Sequence, residues 1–101
     1  MNEVFYKHKD YDGKTYYFFD CPGCDEPHQV VIPIWTLTGD LVKPTVSPSI
    51  LLHGIPKVFE QTNGKRGNRC HSFIKDGSIQ FLNDSTHPLA GKTVPLPVWE
   101  D

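Results

Sequence analysis

Cys21-Pro22-Gly23-Cys24 sets two thiols three residues apart across a Pro-Gly turn. At that spacing both sulfurs reach one ion, and the amides of the turn can hydrogen-bond the thiolates. The motif looks like one half of a zinc ribbon, but Cys70 is the only other cysteine, so no second Cys-x-x-Cys completes it. Tetrahedral zinc needs four ligands. Cys70 is the third by elimination, and the five histidines must supply the fourth. His87 ranks first because a hairpin brings it near Cys70. His28 ranks second through its closeness to Cys24, and His71 third. Three sulfurs with one imidazole suit Zn2+ better than iron. Thiol redox centres share the spacing but open a helix, whereas His28-Gln29-Val30-Val31-Ile32-Pro33-Ile34 has the composition of a strand. The predicted metal set is Cys21, Cys24, Cys70 and His87.

A closed set of four ligands makes the ion structural, whereas three ligands and a water make it catalytic. In the second case His71, Asp84 and His28 are the candidate general acids or bases. The plainer reading of His71 and Asp84 is that they hydrogen-bond nearby backbone at loop ends, and it is preferred.

These residues are positioned by the stretch Cys70–Gly91, which reads as strand, turn, strand and polar loop. Asp76-Gly77 is a two-residue type I′ signal, because both central residues need positive φ, which Gly allows and Asp tolerates. That turn pairs Lys75 with Ser78, Ile74 with Ile79, Ser72 with Phe81 and Cys70 with Asn83. Cys70, His71, Asp84, Ser85 and His87 then gather at the open end. Alternation sends Cys70 and His71 to opposite faces, so Cys70 shares a site with His87 rather than His71.

Eight glycines and nine prolines interrupt nearly every stretch long enough for a helix, and Tyr, Phe, Val and Ile fill much of the rest. The prediction is an all-β single domain over residues 1–101, a sheet, sandwich or barrel of short antiparallel hairpins. A first hairpin spans Val4–Lys7 and Thr15–Phe19 around Asp12-Gly13, and Tyr16-Tyr17-Phe18-Phe19 does not alternate, so both faces of that strand are covered. Gln29–Ile34 leaves the cysteine knuckle as a strand. Pro44 and Pro48 argue against a central strand over 44–49 and for a rigid segment lying over the sheet. Ser49–His53 and Lys57–Glu60 form a short hairpin, 61–69 an exposed cationic loop, and Lys92–Val98 an edge strand or tail blunted by Pro95 and Pro97.

A net charge of −2 excludes a general electrostatic attraction to nucleic acid or anionic membrane. No apolar run reaches the roughly 18 residues of a membrane span, and MNEVFYKHKD lacks the apolar core of a signal peptide. The expected location is the cytoplasm, and an odd count of three cysteines fits reduced or metal-bound thiols.

CPGC with His28, Trp35, Gly39-Asp40, PTVSPS (44–49), CHSF (70–73), Asp76-Gly77 and DSTHPLAGKTV (84–94) together resemble a small family of unknown function found mainly in tailed phages and prophages. Its members often carry the label ammonia monooxygenase, which suits neither the absence of an apolar span nor the lack of a copper-type histidine cluster. Some relatives carry cysteine at the position of Ser85. The resemblance implies a metal site and a cytoplasmic location in a host cell.

The leading functional expectation is a zinc-stabilised accessory binding protein that acts on a host protein or host defence, with no self-sufficient catalytic triad. Two alternatives stand beside it. One is a zinc-dependent hydrolase using His71, Asp84 or His28; the other is a sponge for a nucleotide signal, with Lys65, Arg66 and Arg69 on phosphates and Trp35 or a Tyr stacking. Homo-oligomerisation through a sheet edge is compatible with all three.

Overall fold

The structure, a computed structural model, describes residues 3–53 and 69–99. The expected strand Lys57–Glu60 and the cationic loop with Lys65 and Arg66 lie outside the described residues. The described chain is all-β: β1 (Phe5–Tyr11), β2 (Lys14–Cys21), β3 (Glu26–Ile32), β4 (Thr36–Thr38), β5 (Thr45–His53), β6 (Arg69–Lys75), β7 (Ser78–Phe81) and β8 (Thr93–Pro95). They form two antiparallel sheets, β1-β2-β3 and β4-β5-β6-β7-β8.

Two hairpins follow directly from their turns. Asp12 and Gly13, and likewise Asp76 and Gly77, all have positive φ, which gives the strands the twist of a type I′ connection. The second hairpin has the expected register, Lys75 with Ser78, Ile74 with Ile79 and Ser72 with Phe81, where the ladder ends. Strand β8 lies at the sheet edge, as Pro95 within it requires.

Alternation builds one core from both sheets. Phe5, Phe19, Cys21 and Val30 from the first sheet join Val46, Ile50, Cys70, Ile74, Ile79 and Phe81 from the second in a single buried cluster. Full burial of each large apolar side chain contributes about 1.5–3 kcal/mol. The outer face of β2 is also covered, because Tyr6 stacks on Phe18 and Trp99 packs on Tyr6. That explains the unbroken aromatic run.

The segment around Pro44 and Pro48 departs from expectation. Thr45–His53 is a strand inside the five-stranded sheet, between β4 and β6. Its register with β6 jumps from Val46↔Ile74 to Ile50↔Ser72, so four steps along β5 match two along β6. Pro48 falls inside this bulge, where no ladder N–H is needed, and bulges of this kind re-aim side chains. The side chain re-aimed is Ser49.

Candidate active site and metal centre

Ser49 leaves the bulge of β5, and His71 stands on the neighbouring strand β6, opposite Leu51. The Ser49 hydroxyl lies 3.0 Å from His71 Nε2. The other ring nitrogen, Nδ1, is 3.1 Å and 3.2 Å from the two carboxylate oxygens of Asp84. A carboxylate only accepts, so Nδ1 carries the proton and donates it to Asp84. Nε2 is left with a lone pair, and the Ser49 hydroxyl donates to it. The result is a Ser–His–Asp relay open to solvent on one face: Ser49 is half-buried, and the His71 side chain is 23% exposed.

Neighbouring groups hold each member in place. Buried Ser85 accepts from the His71 N–H and donates to the His71 carbonyl, both at 3.0 Å. Trp35 Nε1 donates to the Ser49 carbonyl at 3.3 Å. Arg69 Nη1 lies 3.9 Å from Asp84 Oδ2, a partly exposed pair that contributes little stability but keeps positive charge beside the carboxylate. Arg69 and Trp35, named for the sponge reading, both stand at this site.

The preferred assignment of His71 and Asp84 to backbone capping is overturned. Ser85, not either of them, serves the backbone at His71, and their side chains bond each other. No triad is expected from the sequence, yet Ser49, His71 and Asp84 stand in a triad-like arrangement. Sequence reasoning misses Ser49, although PTVSPS, CHSF and DSTHPLAG each carry one member of the relay.

On the opposite face of β6, Cys70 points into the core. Ligand atoms of Cys21, Cys24, His28 and Cys70, all four residues buried, lie within 4.8 Å of one another. Such a group can hold a metal ion. Cys21 Sγ and Cys70 Sγ are 3.9 Å apart, close to the edge of about 3.8 Å of a tetrahedron with Zn–S bonds of about 2.3 Å. All three thiols are free.

The knuckle between β2 and β3 is closed by Asp25 N–H donating to the Cys21 carbonyl at 2.8 Å, with Asp25 at positive φ. This four-residue turn pairs Cys21 with Glu26 and Phe19 with His28, so His28 shares the inward face of Phe19 and Cys21. The His28 ring meets Phe19 edge-on, and its Nε2 is buried with no hydrogen-bond partner among the described residues, as suits a ligand nitrogen. The Cys21 thiol is pushed far down because Cys24, then Cys70, hydrogen-bond its sulfur. The Cys24 and Cys70 thiols are pushed up, chiefly because Cys21 is the charged partner.

His87, first in rank for the fourth ligand, lies beside this group and not within it. Its ring is buried edge-on against Phe81 and directly over Gly23. His87 Nδ1 accepts from the Leu89 N–H at 3.2 Å, while its Nε2, like that of His28, is buried with no hydrogen-bond partner among the described residues. Burial also keeps His87 neutral by pushing its pKa down.

A Cβ on Gly23 would lie only 2.4–2.8 Å from three atoms of the His87 ring. Gly23→Ala is therefore expected to destabilise the chain by about 1–3 kcal/mol through overpacking, read as a lower midpoint in chemical denaturation. An unchanged midpoint would show that His87 moves freely.

No helix among the described residues is long and apolar enough to cross a membrane. No curated protein and no solved structure matches the chain. Residues 1–82, which carry Ser49, His71 and all three cysteines and end just before Asp84, match the family described as bacterial ubiquitination-like system serine protease (BubE), and the chain belongs to that family.

Proposed function

We propose that this chain is a serine protease of a bacterial ubiquitination-like system, with Ser49 as nucleophile, His71 as general base and then general acid, and Asp84 as the group that orients His71. The observation that carries this reading is the unbroken hydrogen-bond relay from Ser49 Oγ through both nitrogens of His71 to Asp84. The family description, a serine protease of a bacterial ubiquitination-like system, supports a protein substrate of such a system, and the substrate class we infer is an amide bond of a ubiquitin-like protein.

In the reaction, Ser49 Oγ attacks the substrate carbonyl as its proton passes to His71 Nε2. Asp84 holds the ring in the tautomer that makes this possible and stabilises the imidazolium that results. His71 then gives the proton to the leaving amine, and water repeats the sequence to release the acyl group from Ser49. A ubiquitin-like protein takes the place of the unspecified host partner, and the phage-type accessory role becomes that of a processing enzyme.

The cysteine cluster has a separate task in this reading. Zn2+ held by Cys21, Cys24, Cys70 and His28 is a closed structural ion, with His87 packed over the knuckle. It ties the β2–β3 knuckle to β6, the strand that carries His71.

A fluorophosphonate probe tests the nucleophile directly, since the serine oxygen displaces fluoride from phosphorus only when it is activated. A single adduct on Ser49 is expected by peptide mass spectrometry, with His71→Ala unlabelled although folded. Labelling elsewhere, or none in the parent chain, would sink the assignment.

A further inference from the structure

The geometry points to a substrate bound as an added β-strand along the free edge of β5, with its main chain paired to Leu51, and we propose this mode on the basis of the protease reading above. The argument begins with where backbone groups point. His71 donates its N–H to Ser85 Oγ and accepts at its carbonyl from Leu82 N–H and Ser85 Oγ. Both of its main-chain groups are therefore used on the β7 side.

Leu51 is the residue opposite His71 across β5 and β6. In an antiparallel pair, residues whose main-chain groups turn away from each other alternate with those that exchange hydrogen bonds. Since His71 turns away from β5, Leu51 turns away from β6, and its N–H and C=O face the other edge of β5. Ser49 agrees in phase: two residues earlier on the same strand, its carbonyl reaches the Trp35 indole on that same side.

The Trp35 indole caps this edge at Ser49, and from Leu51 onward no main-chain partner stands along it among the described residues. Strand β4 pairs with β5 only from Thr45 to Ser47, and among the described residues no turn or loop hydrogen bond takes the Leu51 N–H or C=O. Its side chain is also open, at 46% exposure, and Phe73, two residues past His71 on the same face, is 43% exposed. A donor, an acceptor and two apolar side chains thus stand next to an activated serine. That combination fits an extended peptide, which recognises a sheet edge through main-chain hydrogen bonds and adds specificity through alternate side chains.

The spacing places the reacting bond. Two residues along a strand cover about 7 Å. A substrate residue paired with Leu51 therefore brings the carbonyl two positions away level with Ser49, beside the Trp35 indole. The paired residue has its side chain on the same face as Leu51, so an apolar residue is preferred at that substrate position.

An internally quenched decapeptide library first identifies a cleaved sequence, which is then resynthesised with a single N-methyl group at each position in turn. The methyl deletes a donor and blocks strand approach. The expected result is a loss of at least about tenfold in kcat/KM at the residue two positions from the cleaved carbonyl, with less effect at its neighbours. Leu51→Pro, which removes the N–H aimed at the free edge and also fixes φ there, should lose a similar factor on the peptide, whereas Leu51→Ala should keep most of the rate.

Both variants should hydrolyse p-nitrophenyl acetate, too small to reach Leu51, within about twofold of the parent. A flat N-methyl scan, full peptide cleavage by Leu51→Pro, or a parent that turns over the ester but cleaves no peptide would overturn strand addition while leaving the triad standing. Absence of Ser49-dependent ester turnover in the parent would overturn both.

Discussion

Ser49→Ala is expected to lower kcat for peptide or ester hydrolysis by about 10⁴- to 10⁶-fold, the range in which removal of a triad serine falls. The fold should survive. Ser49 Oγ contributes one partly exposed hydrogen bond to His71, worth about 1 kcal/mol net, or a fall in Tm of about 4–8 °C for a domain of this size. The two readouts separate a chemical role from a structural one. Triad members act as a unit, so His71→Ala and the Ser49→Ala/His71→Ala double variant should be about as inactive as Ser49→Ala alone. Asp84→Asn should also lose activity steeply, because an amide in place of the carboxylate favours the wrong His71 tautomer. Hydrolysis by a metal-bound water predicts the reverse order: Ser49→Ala active, His28→Ala inactive. Retention of a tenth or more of the parental kcat by Ser49→Ala would remove the serine mechanism.

The pattern of success in reading the sequence follows the range of the interactions involved. The β6–β7 hairpin is legible because a two-residue turn fixes its register locally, and Asp76-Gly77 admits few alternatives. Three of the four clustered residues that could hold a metal ion are legible as well, since sulfur so rarely has another use at that spacing. His28 is harder. Its face depends on the phase of β3, which the four-residue knuckle sets by pairing Cys21 with Glu26; counting two more residues along each strand would have turned His28 toward Cys21. Ser49 is harder still. It meets His71 across 22 residues through strand pairing, and the prolines that flank it argue against the strand it occupies. The bulge that accommodates Pro48 leaves no strong local signature, and it is this bulge that sets the serine beside the histidine.

Removal of the ion from the cysteine centre is expected to abolish both the cooperative melting transition and the labelling of Ser49 by a fluorophosphonate, and returning Zn2+ should restore both. The reason lies in adjacent residues of β6. Cys70 turns inward to the centre and His71 outward to Ser49 and Asp84, so the strand that would anchor an ion also carries the proposed base. Loss of the ion leaves three buried thiols and a buried imidazole without their partner. Structural zinc sites contribute on the order of 10 kcal/mol to folding, more than a small domain usually has in reserve. Cys70→Ser should have the same effect, because a hydroxyl is a poor ligand for zinc and a poor occupant of an apolar site. Acid should weaken the centre in a definite direction. Cys24 and Cys70, pushed up by the Cys21 thiolate, hold their protons at neutral pH when no ion is bound. The ion must expel those protons, so affinity rises with pH and zinc leaves as pH falls. Proton release on titrating the ion-free chain with Zn2+, followed beside melting and labelling, measures all three consequences on one sample. Labelling of Ser49 that persists in a stably folded, zinc-free chain would show that β6 holds His71 without help from the centre.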